Sequence, residues 1–107
     1  MNLQEPPKKY QRFMNQFPKL GEAWEAIHVA GAAGPLDEKT QRLLKLAVAI
    51  GAMREGAVHA SARKALALGI SEAEMMQVVA LSAGTLGMPS TVAVFTWVQD
   101  VTQPKQG

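Results

Sequence analysis

The side chains best suited to chemistry in this sequence are Glu55 and His59, which lie four residues apart. On a helix, residues at this spacing share a face, so the carboxylate and the imidazole can meet. A carboxylate holds an imidazole in one tautomer, an arrangement that suits a general base. Arg54 adds a cation at the expected start of the helix, where anions bind well, and this favours an anionic substrate. Alternatively, Glu55 is a glutamate of the kind common in the first turn of a helix, and His59 pairs with it only to stabilise that helix.

Other kinds of catalytic site are poorly supported by the residue types present. The chain has no cysteine, which excludes thiol chemistry and disulfides of its own. Ser61 follows His59 by two residues, so on a helix the two side chains point in different directions and form no nucleophilic dyad. The second histidine, His28, shares a helix face with Trp24 and is interpreted as a partly buried structural residue. Two distant histidines without cysteine give a weak ligand set, so we expect no metal site and no other cofactor.

Length and composition predict a single domain over residues 1–107, with flexible tails at 1–7 and 102–107. The chain is long enough for one hydrophobic core, and its 48% apolar and 19% charged residues are ordinary for a globular protein. A net charge of +2 is too small to indicate a nucleic-acid partner. No apolar segment approaches the ~20 residues of a membrane span, and no secretory signal is visible. We therefore expect a cytoplasmic protein without membrane contact.

Hydrophobic periodicity, proline, glycine and capping residues predict an all-α fold, a compact bundle of about five to six helices. We expect a short helix over Lys8–Gln16 and a second that begins at Pro18 and ends near Gly31. Asp37 is a good N-cap for a third helix that reaches about Met53. The remaining helices are expected over about 55–69, after a capping box formed by Ser71 and Glu74, and over about 90–101.

Two of these helices are apolar on more than one side, which indicates a homo-oligomer. The third helix is apolar almost all round from Leu43 onward, a pattern typical of a helix in the middle of a bundle or between subunits. The two apolar sides of the last helix consist of a stripe of Val92, Phe95 and Val98 and of a second surface with Val94 and Trp97. A terminal helix of this kind usually packs against more than its own core. Alternatively, Trp97 covers a neighbouring helix of the same chain.

Five short segments follow one another in a specific order over about residues 20–101. They are Leu36–Thr40, the apolar run Leu43–Met53, Ala65 with Gly69, the acidic turn Ser71–Glu74, and Gly87–Pro89. In this order and spacing they resemble the carboxymuconolactone decarboxylase-like family, which includes the alkylhydroperoxidase D-like proteins. The resemblance implies an all-α fold of the alkylhydroperoxidase D-like type and assembly into dimers, trimers or hexamers.

The peroxidase branch of that family uses a glutamate on the buried helix and a Cys-x-x-Cys-x-x-x-His motif on the next helix. We align the family pattern with this sequence on Ala65 and Gly69. The glutamate of the pattern then falls on Arg42 and its histidine on Ser61. Its two cysteines fall on Arg54 and Ala57. The decarboxylase branch also carries a histidine at the Ser61 position. Because none of these groups is present, the resemblance implies that peroxidase activity is no more than a label shared with relatives.

The segment Arg54–His59 is similar to one in cysteine-less members of the family, which implies that His59 and Glu55 are the centre of any site that remains. Arg42 and Arg54 are expected to line the same cleft and to bind an anionic ligand. We therefore expect binding of a small organic acid or lactone. If the protein is an enzyme, its chemistry is acid–base chemistry of the decarboxylase or lyase type. The alternative is a non-catalytic, oligomeric accessory or scaffold protein.

Overall fold

The computed structural model describes residues 8–104, which form six α-helices and no β-strand. The helices are α1 (Lys8–Gln16), α2 (Pro18–Ala32), α3 (Glu38–Gly51), α4 (Glu55–Ala67), α5 (Glu72–Leu86) and α6 (Met88–Thr102). The predicted all-α class is confirmed. The chain divides into two compact units, one that ends at Leu36 and one that begins at Asp37, so the expectation of a single domain stays a prediction.

The first unit consists of α1 and α2, which a bend at Phe17 separates. Pro18 disfavours helical backbone at the residue before it, and Phe17 accordingly has φ −128° and ψ 73°. A Cβ at Gly21 would lie 3.1 Å from the end of the Met14 side chain. The absence of a side chain at Gly21 therefore lets the two helices approach closely at this point.

Two helices of the second unit are capped as the sequence predicts. The Asp37 carboxylate accepts a hydrogen bond from the Thr40 backbone N–H at 2.8 Å and starts α3. Ser71 and Glu74 form the capping box at the start of α5, in which each side chain accepts a bond from the other's backbone N–H, at 3.1 and 3.0 Å. The Lys39 ammonium also contacts the Glu74 carboxylate. This contact, together with the backbone of Ser71, lowers the pKa of Glu74 to about 2.

The four helices of the second unit pack in a ring, in the order α3, α4, α6, α5 and back to α3. The core that they share consists of Leu46, Ala49, Ile50, Val58, Ala62, Ala65, Ile70, Met75, Val79, Val94 and Val98. Ala62 and Ala65 are fully buried, and their small side chains let the neighbouring helices approach α4 closely. Ile70 and Met75 flank the capping box as a hydrophobic staple would, and both lie in the core.

The last helix is apolar on two sides, and the structure buries one of them. Val98 is fully buried, but Val92 and Phe95, which the sequence places on the same stripe, are 52% and 41% exposed. The buried stripe runs instead through Val94 and Val98, and Trp97 packs half-buried against the core. Periodicity does not choose between the two sides, because both are apolar. Trp97 covers helices of its own unit, which is the alternative that the sequence left open.

The third helix also keeps apolar side chains on the surface of the chain. Leu46, Ala49 and Ile50 are buried, whereas Leu44 is 49% and Val48 is 72% exposed. Among the described residues of the second unit, other helices therefore do not surround α3. The alternative that it lies between subunits stays a prediction.

A tight turn joins α3 to α4 and sets the start of the helix that carries the candidate site. Met53 has a φ of 55°, a left-handed conformation that is uncommon for residues other than glycine. The N–H groups of Met53 and Arg54 donate to the carbonyl groups of Ile50, at 2.9 Å, and Ala49, at 3.3 Å. These bonds satisfy carbonyl groups at the end of α3 and turn the chain directly into α4.

The predicted tail at 1–7 and residues 105–107 of the predicted tail at 102–107 lie outside the described residues. Thr102, where the predicted C-terminal tail begins, is the last residue of α6. The side chains of Thr102 and Gln103 donate hydrogen bonds to the Glu72 carboxylate at 2.5 and 2.8 Å, which fixes the end of α6 to the first turn of α5. Across residues 8–104, no helix combines the length and the apolar character that crossing a bilayer requires.

Candidate functional site

The first half of α4 positions both residues of the predicted acid–base pair. Val58 and Ala62 are fully buried and fix one face of α4 in the core. Glu55 and His59 project from a neighbouring face, where the Glu55 side chain is 57% and the His59 side chain 25% exposed. Glu55 Oε2 lies 3.9 Å from His59 Nε2, so the two side chains face each other, as their spacing predicts.

Asp100, on α6, is the closer partner of this imidazole. Its Oδ2 lies 3.0 Å from His59 Nε2, a hydrogen-bonding distance. The buried side chains of Val94 and Val98 hold α6 in the core against α4, and Asp100 follows two residues later with its side chain 57% exposed. Spacing along the chain does not reveal this pair, because 41 positions separate the two residues. Only the packing of α4 on α6 brings them together.

The contact with Asp100 determines how the imidazole can exchange protons. A carboxylate accepts hydrogen bonds, so Nε2 must carry the proton that it donates to Asp100. In the neutral ring the other nitrogen, Nδ1, then has the free lone pair and can accept a proton from a bound molecule. In the protonated ring the same nitrogen can donate one. The arrangement is therefore that of a general acid or base oriented by a carboxylate.

The two arginines predicted to line the site lie on different helices. Arg54 is the N-cap of α4 and directly precedes Glu55. Arg42 lies half-buried on α3, and this burial lowers its pKa while the charge of Glu38 raises it. Among residues 8–104, no hydrogen bond or ion pair joins either arginine to His59 or to its two carboxylate partners. A cleft shared by Arg42, Arg54 and His59 stays a prediction.

Arg42 instead belongs to a basic cluster on α3 and α4 that also contains Lys45, Arg63 and Lys64. Partial burial lowers the pKa of Lys64, and the positive charges of Arg42, Lys45 and Arg63 lower it further. Lys64 lies in the last turn of α4, whereas His59 lies near the beginning of that helix. Lys64 and the imidazole are therefore separated along α4, whereas Arg63 follows His59 by four residues, one turn of the helix.

Two grooves lie elsewhere on the chain. The larger, of about 630 Å³, lies between α3 and α5 and is lined mainly by apolar residues such as Leu43, Leu44 and Leu81. The second, of about 430 Å³, lies within the first unit. It is lined by side chains of α1 and α2, among them Phe13 and Trp24. Glu55, His59 and Asp100 line neither of these two grooves and lie where α4 meets α6.

The other histidine of the chain has the surroundings that the sequence predicts. His28 is half-buried, and its ring packs edge-on against Trp24 with 5.1 Å between the ring centroids. It lies on α2 in the first unit. It makes a useful control for experiments on His59.

Three side chains of the second unit are grouped closely enough to hold a metal ion. One ligand atom each from Glu55, His59 and Asp100 lies within 4.8 Å of the others. The expectation of a weak ligand set counted histidine and cysteine and did not include Asp100. Imidazole and carboxylate groups are common ligands of divalent transition metals.

A comparison with known families matches residues 18–100 to the model of the carboxymuconolactone decarboxylase family. The chain belongs to this family. The resemblance carried by the five short segments is thereby confirmed. The match begins at the first residue of α2 and ends at Asp100, so it includes every residue of the candidate site. A search of curated proteins and a search of solved structures each found no match.

Within this family, the chain lacks the thiols on which the peroxidase branch depends. It contains no cysteine, and the positions on which the resemblance places the two cysteines hold Arg54 and Ala57. Ser61, on which the resemblance places the histidine, lies half-buried on α4. Neither arginine nor alanine can form a thiolate or a disulfide. Any activity of this chain must therefore use groups other than a thiol of its own.

Proposed function

We propose that this member of the carboxymuconolactone decarboxylase family binds a small organic acid or lactone and exchanges a proton with it through His59. The observation that carries the proposal is the 3.0 Å contact between His59 Nε2 and Asp100 Oδ2. The contact orients the ring and leaves Nδ1 as the nitrogen that exchanges a proton with the bound molecule. Glu55 Oε2, 3.9 Å from the same Nε2, favours the same orientation.

For a lactone acid, the proposed reaction is loss of the carboxylate as CO₂. The bond between the carboxyl carbon and its neighbour breaks, and its electron pair stays on the neighbouring carbon. Protonated His59 then donates its Nδ1 proton to that carbon, which completes the new C–H bond. The reaction also needs a cation to hold the carboxylate before it leaves. Arg54 is our candidate, since it precedes Glu55 at a helix N-terminus that itself favours an anion.

The experiment that tests this function measures turnover of a panel of muconolactone-type acids. His59→Ala removes the proton donor, and we expect kcat to fall by about 10²- to 10⁴-fold. Asp100→Asn keeps the size of the side chain but removes its charge, so a smaller fall in kcat is expected. His28→Ala is the matched control, because it changes the other histidine, on α2. Turnover that survives unchanged in His59→Ala would contradict the proposal.

The role of the arginines has a separate readout in the same assay. Arg54→Gln should raise KM, because it removes the cation proposed to hold the carboxylate. Arg42→Gln is the comparison, because Arg42 belongs to the basic cluster with Lys64. A rise in KM for Arg42→Gln alone would assign the anion to that cluster.

A second candidate is a non-catalytic accessory or scaffold function. It is favoured by the 57% exposure of the Glu55 and Asp100 side chains and by the position of the site outside both grooves. Thermal unfolding in the presence of organic acids separates the two functions. A ligand present at ~100 times its dissociation constant adds about 2.7 kcal/mol of stability. No stabilisation across the panel would favour the scaffold.

A further inference from the structure

Two carboxylates converge on one nitrogen of the same imidazole. Asp100 Oδ2 lies 3.0 Å and Glu55 Oε2 lies 3.9 Å from His59 Nε2, and the three atoms are all within 4.8 Å of one another. All three are good ligand atoms for a divalent metal ion. The side chains are also accessible, with exposures of 57% for both carboxylates and 25% for the imidazole.

Among residues 8–104, neither Glu55 nor Asp100 forms an ion pair with a lysine or an arginine. Elsewhere in the described part of the chain, Lys19 pairs with Glu22 and Lys39 with Glu74. Across residues 8–104, the ion-pair partner of both Glu55 and Asp100 is His59. An imidazole supplies at most one positive charge, whereas the two carboxylates supply two negative charges. A divalent cation would balance both.

The distances suit coordination with only small movements of the side chains. Because the three atoms lie within 4.8 Å of one another, a common point lies no more than roughly 2.4 Å from each of them, compared with about 2.0–2.2 Å for bonds from Zn²⁺ to nitrogen or oxygen. The exposed Glu55 side chain can rotate so that its oxygen moves the few tenths of an ångström needed to reach this bonding distance. A fourth position would be open to water or to a bound anion.

The helices hold the three ligands in place. Glu55 and His59 lie one turn apart on α4, a spacing that lets two side chains of a helix bind one metal. Asp100 comes from α6, whose residues Val94 and Val98 are fully buried in the core. Because α4 and α6 are fixed by the core, the site is largely formed before a metal arrives, which reduces the entropy lost on binding.

We propose that Glu55, His59 and Asp100 bind one divalent transition metal ion, with Zn²⁺ preferred over Mg²⁺ and Ca²⁺. The preference follows from the imidazole, since Mg²⁺ and Ca²⁺ favour sets made entirely of oxygen ligands. A metal at Nε2 binds through the lone pair of that nitrogen, so the proton of the neutral ring moves from Nε2 to Nδ1. This inference goes beyond the proposed function, because metal binding requires no substrate.

The test is calorimetric titration of the full chain with ZnCl₂ after treatment with EDTA and dialysis. We expect one Zn²⁺ per chain, and we expect Glu55→Gln, His59→Ala and Asp100→Asn each to weaken binding by at least about tenfold. Glu25→Gln and His28→Ala are matched controls on α2, in the first unit, and should leave the affinity unchanged. Circular dichroism confirms that each variant is folded.

Imidazole NMR provides a readout that needs no variant. The chain has two histidines, so Zn²⁺ should shift the ring signals of His59 and leave those of His28 in place. Zinc affinity that is the same in all three site variants, a shift confined to His28, or equal binding of Mg²⁺ would each overturn the inference. The titration contains no organic acid, so its outcome is independent of the proposed function. Zn²⁺ binding can be absent while turnover by the metal-free protein still depends on His59. Conversely, Zn²⁺ can bind to a chain that turns over no organic acid.

Discussion

Replacing Val94 by alanine tests which face of α6 holds the second unit together. Val94 is fully buried. Alanine lacks the two Cγ methyl groups of valine, and their removal costs about 1.6 kcal/mol of transfer free energy, at about 0.8 kcal/mol for each carbon. A cavity of roughly 50 Å³ adds about 1.2 kcal/mol. The higher helix propensity of alanine offsets about 0.5 kcal/mol, so Val94→Ala should lower the free energy of unfolding by about 2 kcal/mol.

The matched control is Val92→Ala on the other apolar side of the same helix. Val92 is 52% exposed, so this change gains the same helix propensity and loses little buried surface. We expect its free energy of unfolding to stay within about 0.5 kcal/mol of that of the unaltered chain. Urea unfolding followed by far-UV circular dichroism measures both variants. In a thermal scan, Val94→Ala should lower Tm by about 8–16 °C.

Equal destabilisation by the two variants would refute the assignment of the buried face. The measurements should be repeated at two protein concentrations, since a homo-oligomer is also predicted. If a second copy covers Val92, its substitution becomes more costly and the midpoint depends on concentration. Even then, Val94→Ala should remain destabilising at every concentration.

Two further predictions concern acid and peroxide. The pKa of Glu74 in the folded chain is about 2, below its ordinary value of 4.5, so the ionised carboxylate stabilises the fold. This contribution is complete above about pH 4.5 and is lost as the pH falls towards 2. Urea unfolding at several pH values measures this loss. Over this pH range, Glu74→Gln should lose less stability than the unaltered chain and less than the exposed control Glu25→Gln. An equal loss in all three proteins would contradict the reasoning. Without cysteine, the purified chain should consume no peroxide beyond what a thiol reductant consumes alone, whereas sustained additional consumption would show that a thiol of the chain is not required.

The sequence predicts those parts of the fold whose causes act over a few residues. The Asp37 cap and the capping box of Ser71 and Glu74 each depend on groups three positions apart, and both are present in the structure. The meeting of Glu55 and His59 is local in the same sense, because one turn of helix brings them together. The absence of a thiol needs no structure at all, since composition alone excludes the chemistry.

The buried face of α6 and the partner of His59 required the tertiary structure. Val92, Phe95, Val94 and Trp97 are all apolar, and the choice between the two sides depends on the helices that pack against them. The sequence contains nine acidic residues and does not single out Asp100 among them. Only the packing of α6 against α4 identifies Asp100 as the partner of His59. Hydrogen bonds between side chains need contact within about 3 Å, and contact between residues distant in sequence is decided by how helices pack. Periodicity describes a single helix, so it cannot supply that information.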